Sequence, residues 1–245
     1  MRAIVLAAGT GSRLGEMTKD KTKGMVKVNG KPLIDYLFEF FDLSFFDEII
    51  VVGGFAFSNF EKYLRQKQIE HLKILENKDY HKGNIFTLLT ALKTFAHDSF
   101  LITNVDHIYP RIMFEKMKQS FNKITAMCDF DRKLGPDDMK VKLADDGKTI
   151  LHISKQLQDF DCGYIGMTYV DSTMENIYRD ALNKAINRFG EKAVVENILQ
   201  ILAENPKTAP TICDLSGFGW YEVDDEFDLI KAEKGLLQNP NFSRQ

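Results

Sequence analysis

Two glycines and an arginine stand directly after the first apolar segment of the chain, in the stretch Leu6-Ala7-Ala8-Gly9-Thr10-Gly11-Ser12-Arg13. Residues 3–6 are all apolar, so the pattern predicts a buried strand that turns into a glycine loop. Glycines let the backbone approach a ligand closely and direct several N–H groups at one point, and Arg13 adds a fixed positive charge. The pattern therefore favours anion binding, with a plain glycine turn as the alternative.

The loop lacks the features of the two commonest phosphate-binding motifs. The dinucleotide motif needs a third glycine that opens a helix, and the motif of the nucleotide hydrolases ends in Gly-Lys-Ser/Thr. Neither follows Gly11, and a segment with Lys19, Lys21 and Lys23 comes instead. Any of these lysines could contact the anion, and a solvated surface charge is the alternative for each.

Two acidic positions could hold a metal ion. Asp106 follows an apolar segment that predicts a buried strand, and its oxygen donors suit Mg²⁺, although aspartate in a turn also binds its own backbone. The second position is the stretch Glu222-Val223-Asp224-Asp225, in which Asp225 is explained as the N-cap of the last predicted helix. Strand alternation puts Glu222 and Asp224 on one face, where two like charges need a compensating cation.

The elements that must position these residues follow the pattern of an α/β fold. Strands and helices alternate through the first half, which predicts a doubly wound, Rossmann-like sheet of mostly parallel strands with its ligand at their carboxyl ends. Strands are more frequent in the second half, so we expect mixed pairing there. The predicted strands are 3–6, 25–28, 48–52, 72–75, 100–103, 125–130, 140–143, 149–154, 161–170, 211–215 and 220–223. Helices are predicted to begin at Pro32 and Ser58 and to span 85–95, 172–188, 193–204 and 226–237.

Composition limits the class of protein. A chain of 245 residues with 44% hydrophobic content can bury the core of one large α/β domain. The net charge of -3 gives no basic footprint, so we expect neither nucleic acid nor a membrane surface as the partner. The sequence shows no secretory signal and no apolar run long enough to cross a bilayer, which predicts a cytoplasmic protein. The scattered Cys128, Cys162 and Cys213 favour neither a disulfide framework nor a zinc site.

Several of these motifs together resemble the nucleotidyltransferase family, whose members join a nucleoside triphosphate to a phosphorylated small molecule. The resemblance covers essentially the whole chain and is carried first by the glycine loop with Arg13-Leu14, the lysine-rich segment and residues 26–34. Further along, Lys82-Gly83-Asn84, residues 106–109 and residues 155–162 are most similar to the inositol-1-phosphate branch of the cytidylyltransferases. They are also similar to the phosphocholine and aminoethylphosphonate cytidylyltransferases.

The resemblance implies a role for each matched residue. Asp106 and Asp224 match the metal-binding aspartates, which implies Mg²⁺ as the cofactor. Lys23 matches a lysine that contacts the α-phosphate, although Thr22 stands where the family has proline, and Lys155 matches a lysine near the acceptor's phosphate. The nucleotide is expected against Leu6, Ala7, Ala8, Gly9, Thr10, Gly11, Lys82, Gly83 and Asn84, with Arg13 and Lys23 beside the triphosphate. Acceptor contacts are expected from His107, Tyr109, Asp161 and Glu222.

The expected partners are CTP and a phosphorylated small alcohol. CTP is favoured because the amide of Asn84 can pair with the amino donor and the ring acceptor of cytosine, helped by backbone carbonyls near Ala7; a helix cap at Ile85 is the alternative for Asn84. A sugar-1-phosphate nucleotidyltransferase that uses UTP or another triphosphate, and a non-catalytic nucleotide-binding module, are the alternative functions. We expect a single domain over residues 1–245, with the nucleotide part in about 1–110 and the acceptor part in about 111–245; a homodimer is left open.

Overall fold

The computed structural model describes residues 1–240 and 242, and within them nine strands form one mixed sheet. The strands are β1 (Arg2–Ala7), β2 (Lys27–Val28), β3 (Lys31–Pro32), β4 (Glu48–Gly53), β5 (Leu72–Glu76), β6 (Phe100–Asn104), β7 (His107–Ile108), β8 (Ile124–Asp129), β9 (Lys140–Leu143), β10 (Ile150–Ser154), β11 (Cys162–Val170), β12 (Thr211–Asp214) and β13 (Tyr221–Glu222). The helices are α1 (Leu33–Phe40), α2 (Phe57–Arg65), α3 (Ile85–Leu92), α4 (Arg111–Lys118), α5 (Glu175–Phe189), α6 (Glu196–Ala203) and α7 (Glu226–Gln238).

The first half of the chain forms the parallel part of the sheet, in the order β6-β1-β4-β5. Strand β1 lies between β4 and β6, so that Ile4 is paired with Ile50 on one side and with Ile102 on the other. All of these pairs are parallel, which places the glycine loop after β1 and Asp106 after β6 at the same edge of the sheet. The predicted doubly wound α/β fold is confirmed.

The second half adds antiparallel strands to the same sheet. The long strand β11 pairs antiparallel with β6, β8 and β9, while β12 runs parallel to β8. The mixed pairing expected from the sequence is therefore confirmed. Because β6 is hydrogen-bonded to β1 on one side and to β11 on the other, the sheet is continuous from the first half of the chain into the second.

Helices cover both faces of the sheet, and this explains why its central strands are apolar throughout. Successive side chains of a strand point to opposite faces, so β1 places Ile4 and Leu6 in one core cluster and Ala3 and Val5 in the other. The first cluster is completed by α3, α5 and α6, and the second by α1, α2 and α4. Helix α3 thus packs on the same face of the sheet as α5 and α6.

Some local predictions differ from the structure. Helix α2 begins at Phe57 with Ala56 as a left-handed N-cap (φ 51°), so Ser58 is not its cap. The sequence analysis missed α4. It also missed the pairing of β7 with β13, because a two-residue strand is too short to show a hydrophobic periodicity. The three cysteines are free and buried. None of the helices in residues 1–240 and 242 is long and apolar enough to span a membrane.

Candidate active site

The glycine loop opens at the carboxyl end of β1. Gly11 has a left-handed backbone (φ 64°), and a Cβ there would lie 3.0 Å from Cγ2 of Thr18 and 3.3 Å from Cβ of Lys23. Gly9 differs, since a Cβ added to it would meet no atom within 4 Å. Gly9 and Thr10 are both exposed, so the loop presents open backbone at the place where a ligand was expected.

Hydrogen bonds from two threonine hydroxyls hold the segment after the loop against the loop and the end of β1. Thr22 is completely buried, and its Oγ1 donates to the carbonyl oxygen of Ala7 at 2.9 Å. Thr18 Oγ1 donates to the carbonyl of Gly11 at 2.8 Å. The threonine that stands where the related family has proline therefore has a structural partner of its own, and its bond fixes the backbone from which Lys23 projects.

Lys23 joins the two acids that the sequence analysis assigned to a metal. Its Nζ donates to Oδ2 of Asp106 at 2.7 Å and also donates to Oδ1 of Asp224. The three side chains are largely buried, with exposed fractions of 11% for Lys23, 19% for Asp106 and 22% for Asp224. The structure thus distinguishes Lys23 from Lys19, whose side chain is 73% exposed and pairs with Glu16.

The electrostatics of this cluster follow from its burial. Burial alone would lower the pKa of Lys23, but the charges of Asp106 and Asp224 and the hydrogen bonds to them raise it to about 12. Burial would likewise favour the neutral form of Asp106, yet Lys23 and His107 hold the pKa of that carboxyl well below its usual range. Lys23 is therefore a cation, and Asp106 a carboxylate, at physiological pH.

Arg13 extends the cluster toward the glycine loop. Its Nη2 donates to Oδ2 of Asp224 at 2.9 Å, and its Nη1 lies 3.7 Å from Oδ2 of Asp137. The side chain is 55% exposed, so it can contact a ligand above the loop. Asp224 consequently lies between two cations, Arg13 and Lys23, which compensate the charge that the sequence analysis found unexplained.

A histidine connects Asp106 to the other acid of the late stretch. His107 Nδ1 lies 2.6 Å from Oδ1 of Asp106, and its Nε2 lies 3.8 Å from Glu222. Burial disfavours the imidazolium, but the charges of Glu222 and Asp106 outweigh it and raise the pKa of His107. Burial also raises the pKa of Glu222; His107 and Arg132 oppose the rise, whereas Asp106 and Asp224 add to it. The basic side chains that face Glu222 are His107 and Arg132, each at 3.8 Å.

The His107 ring packs in a cluster with two aromatic side chains, Tyr109 and Trp220, of which only Trp220 is not among the predicted acceptor residues. Its ring is nearly parallel to those of Tyr109 and Trp220, with centroids at 5.4 Å and 5.3 Å, and the Tyr109 and Trp220 centroids are 6.4 Å apart. Trp220 donates from Nε1 to Oδ2 of Asp129 at 2.7 Å, and the Arg132 guanidinium covers its ring at 4.2 Å. His107 and Tyr109 are only 3% and 1% exposed, and their contact with an acceptor stays a prediction. His107 contacts Asp106 through Nδ1, whereas the Tyr109 hydroxyl donates to the carbonyl oxygen of Ile165.

The second loop of the expected nucleotide site is joined to a segment from the other half of the chain. Gly83 N donates to the carbonyl of Glu191 at 2.7 Å, and a Cβ at Gly83 would lie 1.8 Å from the carbonyl oxygen of Ala193. Asn84 forms no side-chain cap on α3; its Oδ1 accepts a hydrogen bond from Val195 N at 2.9 Å. The amide oxygen expected to read cytosine thus already has a partner, as does the Ala7 carbonyl. Recognition of cytosine by Asn84 stays a prediction.

Two predicted acceptor residues lie farther along the sheet. Lys155 follows β10 and lines a cavity of about 520 Å³ with residues that precede and begin α6. Asp161 instead accepts from the backbone N–H of Leu143 at 2.8 Å and pairs with Lys142 at 3.4 Å. Within residues 1–240 and 242, none of these contacts joins Asp161 to the acid cluster, so its role in acceptor binding remains a prediction.

The acid cluster suits a divalent cation with phosphate ligands. Carboxylate oxygens of Asp106 and Asp224 converge on one positive centre, the Nζ of Lys23, so the fold already brings two hard oxygen donors to one point. The described residues contain no group of three or more His, Cys, Asp or Glu side chains that could hold a metal by themselves. Mg²⁺ is commonly bound by one or two carboxylates together with substrate phosphates and water, so the pair fits that ion when a nucleotide supplies the remaining ligands.

Comparison with known proteins identifies a matching family and similar enzymes. The family model described as the MobA-like NTP transferase domain matches residues 3–135, which include the glycine loop, Lys23 and Asp106. The CTP:phosphoglutamine cytidylyltransferase of Campylobacter jejuni is 29% identical over 259 residues, covering 96% of this chain and 100% of that protein. The choline-phosphate cytidylyltransferase of Streptococcus pneumoniae is 27% identical over 256 residues, covering 98% of this chain and 100% of that protein.

Solved structures agree with the fold. The structure of CTP:phosphocholine cytidylyltransferase from Streptococcus pneumoniae aligns with a TM-score of 0.79 at 25% identity and covers 96% of this chain and 98% of its own. The inositol-1-phosphate CTP transferase from T. maritima aligns with a TM-score of 0.78, covering 96% of each chain; at 18% identity this likeness shows the fold alone.

Proposed function

Because the chain belongs to the MobA-like NTP transferase family, we propose that it is a cytidylyltransferase, which joins CTP to a phosphorylated small molecule and releases pyrophosphate. One observation supports the proposal above all: Asp106 and Asp224 converge on one cationic centre directly beside an open glycine loop. Full-length likeness to the two cytidylyltransferases supports the choice of CTP.

In the proposed reaction, an oxygen of the acceptor's phosphate attacks the α-phosphorus of CTP. A new phosphorus–oxygen bond forms, the bond from the α-phosphorus to the bridging oxygen breaks, and pyrophosphate leaves with that oxygen. The acceptor's phosphate is already ionised, so no general base is needed. Catalysis would rest on positioning and on neutralisation of the charge that develops on the phosphates.

The residues of the site divide this work among them. Backbone N–H groups of the glycine loop and the exposed Arg13 guanidinium would bind the triphosphate. Lys23 would transfer its contact from the acids to the α-phosphate, and Lys155 would hold the acceptor's phosphate. Asp106 and Asp224 would hold Mg²⁺, which when bound supplies positive charge to the phosphate oxygens. A bound metal would also take over the compensation of both carboxylates, and this would free Lys23 for the nucleotide.

The proposal is tested by pyrophosphate release with each of the four common ribonucleoside triphosphates and a panel of phosphorylated alcohols. We expect release with CTP and at least one acceptor, dependent on Mg²⁺ and abolished by chelation. Asp106→Asn is expected to reduce turnover by at least about 100-fold, as removal of one preorganised electrostatic contact does in other enzymes. The matched control is Asp145→Asn, an exposed aspartate in the turn between β9 and β10, which should leave turnover unchanged.

Two outcomes would contradict the proposal. If the protein prefers UTP or another triphosphate, the assignment of CTP as the nucleotide is wrong, although the transferase reaction stands. Turnover by Asp106→Asn within a few-fold of the unmodified protein would remove the metal assignment.

A further inference from the structure

The segment between α5 and α6, residues 190–195, touches both of the expected ligand sites. On one side, Lys192 and Val194 line the cavity of about 520 Å³ that contains Lys155. On the other side, the segment is hydrogen-bonded to the loop Lys82-Gly83-Asn84, where the nucleotide is expected. A residue that fixes this segment therefore fixes one wall of the cavity in which the acceptor is expected.

Two hydrogen bonds join the loop to the segment, and they flank Lys192 in sequence. Before it, the carbonyl of Glu191 accepts from Gly83 N at 2.7 Å. After it, Val195 N donates to Oδ1 of Asn84 at 2.9 Å. Val195 is only 4% exposed, so removal of the Asn84 oxygen would leave a buried N–H without its partner. The position of Lys192 thus depends on a side chain that the sequence analysis assigned to cytosine.

The cavity lies within electrostatic reach of the acid cluster. Glu196, the first residue of α6, is among the residues that line it. Burial raises the pKa of Glu196, and the charges of Asp106 and Glu222 raise it further. A phosphate that enters the cavity would therefore lie close to Asp106, the acid that is expected to hold the metal.

Lys192 is the cation of the cavity that is available to a ligand. The titratable side chains of the lining are Lys155, Lys192 and Glu196. The Glu196 carboxylate accepts from its own backbone N–H, and the charge of Lys155 opposes the rise in the pKa of Glu196, so Lys155 already faces a carboxylate. For Lys192, neither an ion pair nor a side-chain hydrogen bond is found within residues 1–240 and 242. A phosphate monoester carries a charge of about -1.5 to -2 near pH 7, which one partly compensated lysine does not balance.

The structure assigns Asn84 to the acceptor side of the reaction, as the positioning residue of the wall that carries Lys192, and assigns Lys192 to the acceptor's phosphate beside Lys155. This inference rests on the proposed transferase function and adds two residues to its acceptor site. It differs from recognition of cytosine, because the Asn84 oxygen acts through the N–H of Val195 and not on the base.

The test measures the KM of both substrates. The acceptor is whichever of phosphocholine, phosphoethanolamine and inositol 1-phosphate gives the fastest pyrophosphate release with CTP. Asn84→Leu removes the oxygen that accepts from Val195 N and should raise the acceptor KM by about 3- to 10-fold, the range for one neutral hydrogen bond. Lys192→Met should raise it by about 10- to 100-fold, the range for a hydrogen bond to a charged group. In both variants kcat and the KM for CTP should stay within about two-fold of the unmodified protein.

Three further variants separate positioning from a general structural effect. In the double variant Asn84→Leu/Lys192→Met, the acceptor KM should equal that of Lys192→Met alone, because Asn84 acts through Lys192. Asn84→Asp keeps an oxygen for the N–H of Val195, so its acceptor KM should return close to that of the unmodified protein. Lys207→Met removes an exposed lysine that follows α6 and should change neither KM.

The outcomes distinguish the inference from the function on which it rests. If Asn84→Leu raises the KM for CTP as much as or more than that for the acceptor, Asn84 acts on the nucleotide and the inference is overturned, while the transferase function stands. An unchanged acceptor KM in Lys192→Met, or independent effects in the double variant, would overturn it as well.

Absence of pyrophosphate release with every acceptor would refute the transferase function. Calorimetric titration of the three phosphates then decides the inference without turnover. Weaker binding to Lys192→Met and to Asn84→Leu than to the unmodified protein supports it. Equal binding to all three proteins, or no measurable binding to the unmodified protein, overturns it.

Discussion

Lys23→Met tests the claim that one buried cation holds the acid cluster together. Methionine keeps most of the length of lysine but removes its charge, so Asp106 and Asp224 lose the ammonium between them. Breaking a buried ion pair by removing one partner typically costs about 3–5 kcal/mol of unfolding free energy. The pKa of Lys23, raised from 10.5 to about 12, corresponds to about 2 kcal/mol of net stabilisation of the charged form.

These two figures bracket the expected loss. Since the three side chains keep exposed fractions of 11–22%, we expect the cost near the lower figure, at about 2–4 kcal/mol in metal-free buffer. For a chain of this size, a loss of about 1 kcal/mol lowers the melting temperature by about 2–4 °C. The variant should therefore melt about 4–16 °C below the unmodified protein, a difference that circular dichroism resolves.

Magnesium ion provides the decisive comparison. In Lys23→Met the two carboxylates lose the cation between them, and only Asp224 keeps its pair with Arg13, so millimolar Mg²⁺ should raise the melting temperature of the variant by several degrees more than that of the unmodified protein. Sodium chloride at the same ionic strength is the control for screening. Lys19→Met, which removes an exposed lysine of the same loop, should change neither melting temperature nor its response to Mg²⁺. Equal melting of Lys23→Met and the unmodified protein, with equal response to Mg²⁺, would refute the reasoning.

Two further predictions concern the backbone that carries the site. Thr22→Val removes the buried hydrogen bond to Ala7 and should cost about 1–3 kcal/mol in chemical denaturation, whereas Thr22→Ser should stay close to the unmodified protein; equal stability of Thr22→Val would show that the bond contributes nothing. Gly83→Ala places a Cβ 1.8 Å from the carbonyl oxygen of Ala193. It should lower the free energy of unfolding by more than the roughly 1–3 kcal/mol that is typical of overpacking, and it should raise the KM for CTP because the loop must move. Gly9→Ala has open space and should leave thermal stability unchanged, so equal stability of both alanine variants would contradict the role of the Gly83 contact.

The sequence predicted the parallel half of the fold because its signals are local. Apolar segments that end in glycine or aspartate mark strand ends, and parallel topology then brings Gly9, Gly11 and Asp106 to one edge. The late stretch with Asp224 was identified because Asp225 alone accounts for a helix cap; the structure shows Asp225 Oδ1 accepting from Asp228 N at 2.9 Å. These predictions needed no knowledge of long-range packing.

The remaining features depend on contacts between distant parts of the chain. No local pattern separates Lys23 from Lys19 and Lys21, because Lys23 is distinguished by its contacts with two acids that are 83 and 201 residues away in sequence. The single tryptophan next to an acidic stretch was a usable signal for Trp220, but its stacking partner comes from β7.

The stacking of Trp220 also has a practical consequence. The protein has one tryptophan, and its indole lies against His107, whose imidazole contacts Asp106. Indole emission responds to nearby charge, and the indole emission of this chain comes from a single ring, two contacts away from the acid that would meet the metal. The molecule therefore contains its own optical reporter of events at Asp106, and ligand binding can be followed without a label.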